Sequence, residues 1–221
     1  MLFRSKEEQK KYSIFLCGGD TVFSNKSSFT ITSIGFSNKI IFRNKAKLND
    51  DIYVTGNLGD SFIGLQVLKN KIKLNKSKTK YFINKYYMPD IQNKFSKNLL
   101  SLATSSMDIS DGLITDLNKL INKQNVSYKI YEQFIPVSRN LTNLINSKNL
   151  KKIDLVSNGD DYQILFTAKP NNARIINKLS KSLGVKISKI GTILYGKNKS
   201  LILDQKGREI ANNVSGYVHQ F

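Results

Sequence analysis

Apolar positions along this chain recur with two periods, about 3.6 and 2, and the change from one to the other marks out its elements. Leu113, Leu117, Leu120 and Ile121 fall at i, i+4, i+7 and i+8, which predicts an amphipathic helix beginning near Asp111, with Ser110 or Asp111 as its N-cap. The same spacing places Phe62, Leu65 and Leu68 on a helix that Asp60 caps after a turn at Gly56 to Gly59. Pro89 separates a helical run over Tyr81 to Tyr87 from a second that carries Ile91, Phe95, Leu99 and Leu102. Pro170 and Gly184 bracket a further helix with Ile176, Leu179 and Leu183 on one face. Short apolar runs at Ile52 to Thr55, Tyr128 to Tyr131, Ile164 to Phe166, Val185 to Leu194 and Leu201 to Leu203 read as strands. The last two flank a Tyr195-Gly196-Lys197-Asn198 turn. Residues 12 to 45, with Ile14-Phe15-Leu16 and the alternating Phe29, Ile31 and Ser33, read as strand-rich. The pattern is that of an α+β protein, a mixed sheet with helices packed on it, whose main domain spans 51–221 after a separate piece over 1–50.

Candidate chemistry concentrates in three short segments at element boundaries. Met107-Asp108-Ile109-Ser110-Asp111-Gly112-Leu113 puts two carboxylates, a hydroxyl and a glycine at the entrance to the Leu113 helix. Free amides at a helix start attract anions, and Gly112 lets a ligand approach the backbone. Two carboxylates repel phosphate unless a hard cation lies between them, and oxygen ligands that leave room for phosphate suit magnesium. An Asp-Gly turn with a capping serine is the plainer reading of the same residues. Cys17-Gly18-Gly19-Asp20-Thr21 follows an apolar run and can offer backbone amides to phosphate and Asp20 to a cation, or serve as an ordinary hairpin turn. Asn158-Gly159-Asp160-Asp161-Tyr162-Gln163 sets adjacent like charges before a buried strand, which needs a nearby cation or a solvated turn.

Taken in order, these segments resemble the thiamine-monophosphate kinases: Gly18-Gly19-Asp20-Thr21, then Ile52-Tyr53-Val54-Thr55-Gly56 with Leu58-Gly59-Asp60-Ser61, then Asp108 to Leu113, then Gly159-Asp160-Asp161-Tyr162, then Gly216-Tyr217-Val218-His219. The resemblance implies ATP-dependent phosphorylation of thiamine monophosphate to thiamine diphosphate on the two-domain architecture of aminoimidazole ribonucleotide synthetase-like proteins. It implies that Asp20, Asp108 and Asp111 hold several Mg2+ ions on the nucleotide phosphates. Gly19, Asp20, Arg43 and Ser110 match positions that contact ATP, and a guanidinium suits phosphate by bidentate hydrogen bonding. Asp160 matches a partner of the cationic thiamine moiety, where many members carry glutamate, and Tyr217 matches an aromatic that stacks near it. No general base is assigned. His219, the only histidine, is not needed, because the acceptor is already an anionic phosphate oxygen. Family members carry most of a domain before Gly18, including further magnesium carboxylates and much of a homodimer interface, whereas here only Met1 to Leu16 precede it. The resemblance therefore implies a carboxyl-terminal fragment, with 1–50 a remnant of the ATP- and metal-binding domain, the first domain being truncated.

Charge and cysteine usage change this picture little. Lys plus Arg number 35 against 16 Asp plus Glu, a formal charge of +19, which can attract nucleic acid or an anionic membrane. The lysines are scattered, as in Lys69-Asn70-Lys71-Ile72-Lys73, and no helix-turn-helix, zinc or RNA-binding signature accompanies them, so a nucleic-acid-binding module is the weaker alternative. A second alternative is another ATP-dependent enzyme of the same superfamily. A basic surface also draws in ATP and a phosphorylated substrate. One cysteine excludes an internal disulfide and fits a reducing cytoplasm, and no apolar stretch approaches a membrane span.

Overall fold

A strand exists only when neighbours take up its N–H and C=O groups, so the sheet shows which apolar runs found partners. The computed structural model describes residues 2–196 and 199–211. In chain order it contains α1 (Leu2–Tyr12), β1 (Asp51–Thr55), α2 (Asp60–Leu68), α3 (Lys76–Tyr87), α4 (Asn93–Leu102), β2 (Ala103–Asp108), α5 (Leu113–Leu120), β3 (Val126–Tyr131), α6 (Arg139–Lys148), α7 (Lys152–Val156), β4 (Ile164–Ala168), α8 (Ala173–Leu183), β5 (Ile187–Tyr195) and β6 (Leu201–Leu203). The chain divides into two units, Met1–Lys39 and Ile40–Phe221.

The first unit holds α1 and then residues 13–39, which form no strand, contrary to the strand-rich reading. Its alternating apolar side chains stand in solvent, with Phe23 and Phe36 each 98% exposed. Alternation suits a pleated, half-buried surface, but it makes a strand only against a partner, and none pairs with this segment among the described residues.

In the second unit the strands form one sheet in the order β2-β4-β1-β5-β3-β6, antiparallel at every pairing except β3 with β6. The turn at Tyr195 therefore does not close a hairpin: β6 crosses to run parallel to β3, and Lys197 and Asn198 lie outside the described residues. Successive side chains of β1 point to opposite faces. Ile52 and Val54 join a core with Ile109, Leu113, Leu117 and Leu120 of the α5 region. Tyr53 joins the other, stacked on Phe166 at 5.2 Å and packed with Phe95 and Leu99 of α4 and Ile176 of α8. With helices on both faces, all five residues of β1 are buried. A third cluster unites Ile63, Phe82, Leu141, Leu144 and Leu155 from α2, α3, α6 and α7.

Most helices end as their residues dictate. Asn75 caps α3 by accepting the Lys78 N–H at 3.0 Å, Ser138 caps α6 by accepting that of Leu141 at 3.0 Å, and Gly184 closes α8 at φ 64°. The cap of α2 is a correction: Gly59, left-handed at φ 84°, occupies that position, and Asp60 is the first helical residue.

Candidate active site

β2 and β4 run antiparallel with Asp108 opposite Ile164, so the loop that leaves β2 and the loop that enters β4 lie side by side. Backbone pairing continues past the strand ends. Ile109 N–H donates to the Gln163 carbonyl at 2.9 Å, Tyr162 N–H to Ile109 O at 2.8 Å, and Asp160 N–H to Ser110 O at 3.0 Å. Two glycines permit this approach: a Cβ on Gly159 would stand 1.8 Å from Ser110 O, and one on Gly112 would stand 2.1 Å from Ser157 O. Asp160 (φ 69°) and Tyr162 (φ 50°) are held in left-handed conformations that non-glycine residues seldom adopt. Asp108, Ser110, Asp111 and Asp160, some fifty positions apart in the chain, are thereby assembled on one pair of loops.

The loop amides are not free, which corrects the expectation of an open anion site at the helix start. Asp116, in the first turn of α5 and fully buried, accepts the N–H groups of Ser110 (3.0 Å), Asp111 (2.9 Å) and Gly112 (3.2 Å) on a single oxygen, Oδ2. Gly112 occupies the N-cap position, with no side-chain cap, in place of Ser110 or Asp111. Lys119 Nζ reaches back along α5 to Asp116 Oδ1 at 3.2 Å and to the Asp111 carboxylate. Burial raises the Asp116 pKa, while the Asp111 amide and the Lys119 ammonium draw it down. A signal for Asp116 existed in the sequence: it sits on the apolar stripe of Leu113, Leu117 and Leu120, and a carboxylate on a buried face must be met by donors.

The adjacent carboxylates of the second loop face different surroundings. Asp160 is half-buried at the loop surface, whereas Asp161 is buried and accepts the Gly59 N–H at 2.8 Å, tying this loop to the start of α2. Beside it, Asp60 accepts the Ser138 hydroxyl at 2.7 Å and the Tyr81 hydroxyl at 2.9 Å. A pocket of about 20 Å³, lined in part by Asp60, Lys85, Asp90 and Asp161, has room for one water. Burial pushes the Asp161 carboxyl up to about 8, against the pull of the Gly59 and Ser61 amides. An unfolded aspartate titrates near ~3.9, so between about pH 4 and 8 the native state binds the extra proton and Asp161 loses its stabilising contribution as pH rises. Urea titrations should therefore show wild type losing stability relative to Asp161→Asn across that window, by up to about 1.4 kcal/mol per pH unit. A pH-independent difference would refute the shift.

The chain is similar in sequence and fold to one family of known proteins. Thiamine-monophosphate kinase of Buchnera aphidicola subsp. Schizaphis graminum is 34% identical over 213 residues, which cover 95% of this chain and 65% of that protein. The Bacillus subtilis thiamine-monophosphate kinase is 31% identical over 216 residues, covering 91% of this chain and 66% of its own. Among solved structures, AaThiL complexed with AMPPCP and TMP superposes with a TM-score of 0.67 at 26% identity, over 81% of this chain and 54% of that one. The chain is a homologue of the thiamine-monophosphate kinases. It spans just under two thirds of the length of these curated relatives. Hydrogenase maturation protein HypE, at 14% identity and a TM-score of 0.58, shares the fold. No family model matches the chain.

The remaining residues matched to the thiamine-monophosphate kinase pattern are distributed unevenly. Gly19 and Asp20 belong to the first unit and are exposed, Asp20 accepting the neighbouring Thr21 N–H at 2.7 Å. Arg43 is exposed in the second unit. The Phe42 carbonyl before it accepts the Ser105 hydroxyl, and the Asn44 N–H after it donates to Leu120 O at the far end of α5. That sets its backbone about 12 Å from the start of α5, the length of its eight residues at about 1.5 Å each. Tyr217 and His219 lie outside the described residues. Among the described residues no group of three or more His, Cys, Asp or Glu is poised to enclose a metal. The all-oxygen pair Asp108 and Asp111 fits magnesium in its common mode, one or two carboxylates with water and substrate phosphates, and the Lys119 ammonium already marks a cation position on Asp111.

Proposed function

We propose that this chain supplies the α+β portion of an enzyme that transfers the γ-phosphoryl group of ATP to the phosphate of thiamine monophosphate, giving thiamine diphosphate. The observation that carries this reading is the backbone junction of the Asp108–Gly112 and Gly159–Tyr162 loops, which presents carboxylates for nucleotide-bound cations beside a carboxylate for a cationic substrate. Within the second unit, Asp108 and Asp111 would hold Mg2+, and Arg43 and Ser110 would contact ATP. Those carboxylates would position a cation whose charge would offset that on the transferring phosphoryl group. Asp160 would attract the thiazolium; Tyr217, which matches the family's stacking aromatic, lies outside the described residues. The acceptor oxygen is already anionic, so rate acceleration comes from positioning and charge neutralisation rather than from a general base. A homodimer in the cytoplasm is the expected working form.

Thiamine diphosphate formation from thiamine monophosphate, ATP and magnesium tests the proposal, in the chain alone and fused to the amino-terminal domain of a relative. The fused form should be active, and Asp108→Asn should lower its kcat by about 100-fold or more. Failure of a well-folded fusion to accept thiamine monophosphate would overturn the substrate and leave another ATP-dependent enzyme of the same fold. ATP-indifferent, salt-sensitive RNA binding by the same protein would instead favour a basic binding module.

A further inference from the structure

We propose that Lys119 is a built-in counter-ion that occupies the cation position on Asp111 until a divalent metal displaces it. The inference rests on the reading that Asp111 binds such a metal. Helical side chains lean towards the amino terminus of their helix, so Lys119 covers Asp116 one turn earlier and reaches Asp111 beyond it. Its ammonium contacts Asp111 Oδ2, and a divalent metal bound at that oxygen would stand beside the ammonium and repel it. The two cations therefore exchange and do not share the oxygen.

Three features suit the exchange. Lys119 is 36% exposed at its side chain, so the ammonium can leave for solvent, while Asp111 is 20% exposed and Asp116 is sealed. The loop does not depend on the ammonium for its shape, because Asp116 Oδ2 holds its three amides while Lys119 uses Oδ1. Without Lys119 the metal-free site would set the Asp111 carboxylate against that of Asp116 with no cation between them, so the ammonium offsets a like-charge repulsion that a metal would otherwise offset.

The probe is Mn2+ binding to the full chain, followed by the loss of the free-ion electron paramagnetic resonance signal, a readout independent of turnover. Lys119→Met, which keeps the apolar stem, should bind Mn2+ about 3- to 10-fold more tightly than wild type, the range expected for losing a partly exposed ion-pair competitor. Lys119→Arg should stay near wild type. If the methionine variant fails to fold, Lys119→Gln, which can still hydrogen-bond Asp116, should show the same tightening. Asp111→Asn separates the two readings. If it abolishes binding while the folded Lys119 variants bind like wild type or more weakly, the counter-ion role is wrong and Asp111 remains a metal ligand. If it leaves wild-type binding intact, or if no variant binds Mn2+, the metal assignment and the counter-ion role fall together.

Discussion

Asp116→Ala is expected to destabilise the second unit by about 3 kcal/mol and to release the loop over residues 110–112. One carboxylate oxygen takes the N–H groups of Ser110, Asp111 and Gly112, so its removal leaves three donors without an acceptor at the entrance to α5. A buried donor left unsatisfied costs about 1–3 kcal/mol, and solvent entering the opened loop will recover part of the total. The carboxylate has no room for rearrangement, since its side chain is fully enclosed, so no neighbour can take its place. Asp116→Asn keeps a carbonyl oxygen and should cost about 1 kcal/mol. Urea denaturation would measure both losses. Hydrogen exchange would show the amides of residues 110–112 protected in wild type and in the asparagine variant, and unprotected in the alanine variant.

Gly159→Ala should be at least as damaging, for a steric reason. The added methyl would stand 1.8 Å from Ser110 O and 2.7 Å from its carbonyl carbon, and both are backbone atoms that cannot rotate away. The two loops must move apart by more than an ångström, which breaks the hydrogen bond from Asp160 N–H to Ser110 O and carries Asp160 away from Asp108 and Asp111. A displacement of that size is enough to lower kcat by about 100-fold in the fused enzyme. The stability loss should exceed about 3 kcal/mol, at the upper end of single substitutions. Gly18→Ala is the control: nothing lies within 4 Å of its added carbon, and its stability should stay within about 0.5 kcal/mol of wild type. A Gly159→Ala protein with wild-type stability would mean that the loops are not joined as described.

Much of the second unit could be read from the sequence because its elements carry their own instructions. The period of two in Ile52, Tyr53 and Val54 sends alternate side chains into two cores, and the Leu113, Leu117 and Leu120 stripe turns α5 onto one of them. α6 escaped notice although Ser138 and the apolar Leu141 and Leu144 announced it, and β2, made of Ala103, Thr104, two serines, Met107 and Asp108, has too few large apolar residues to be distinguished by pattern. The strand-rich reading of residues 12 to 45 failed for the opposite reason: the pattern was present and the pairing was not.

The sequence by itself determined which residue types bear the chemistry, where α2, α3, α4, α5, α8 and most strands of the second unit fall, and the order of segments shared with the thiamine-monophosphate kinases. Tertiary structure alone decided which carboxylate does what. Asp160 and Asp161 are chemically identical neighbours, yet one remains at the loop surface while the other is buried and accepts the N–H of Gly59, the N-cap residue of α2. Asp111 and Asp116 both stand near the start of α5, yet one meets solvent and Lys119 while the other holds the loop from beneath. A carboxylate's role follows from its solvation and its donors: Asp116 takes its donors from the adjacent loop once burial turns it inward, whereas Asp161 meets the Gly59 amide only because the fold brings the two segments together.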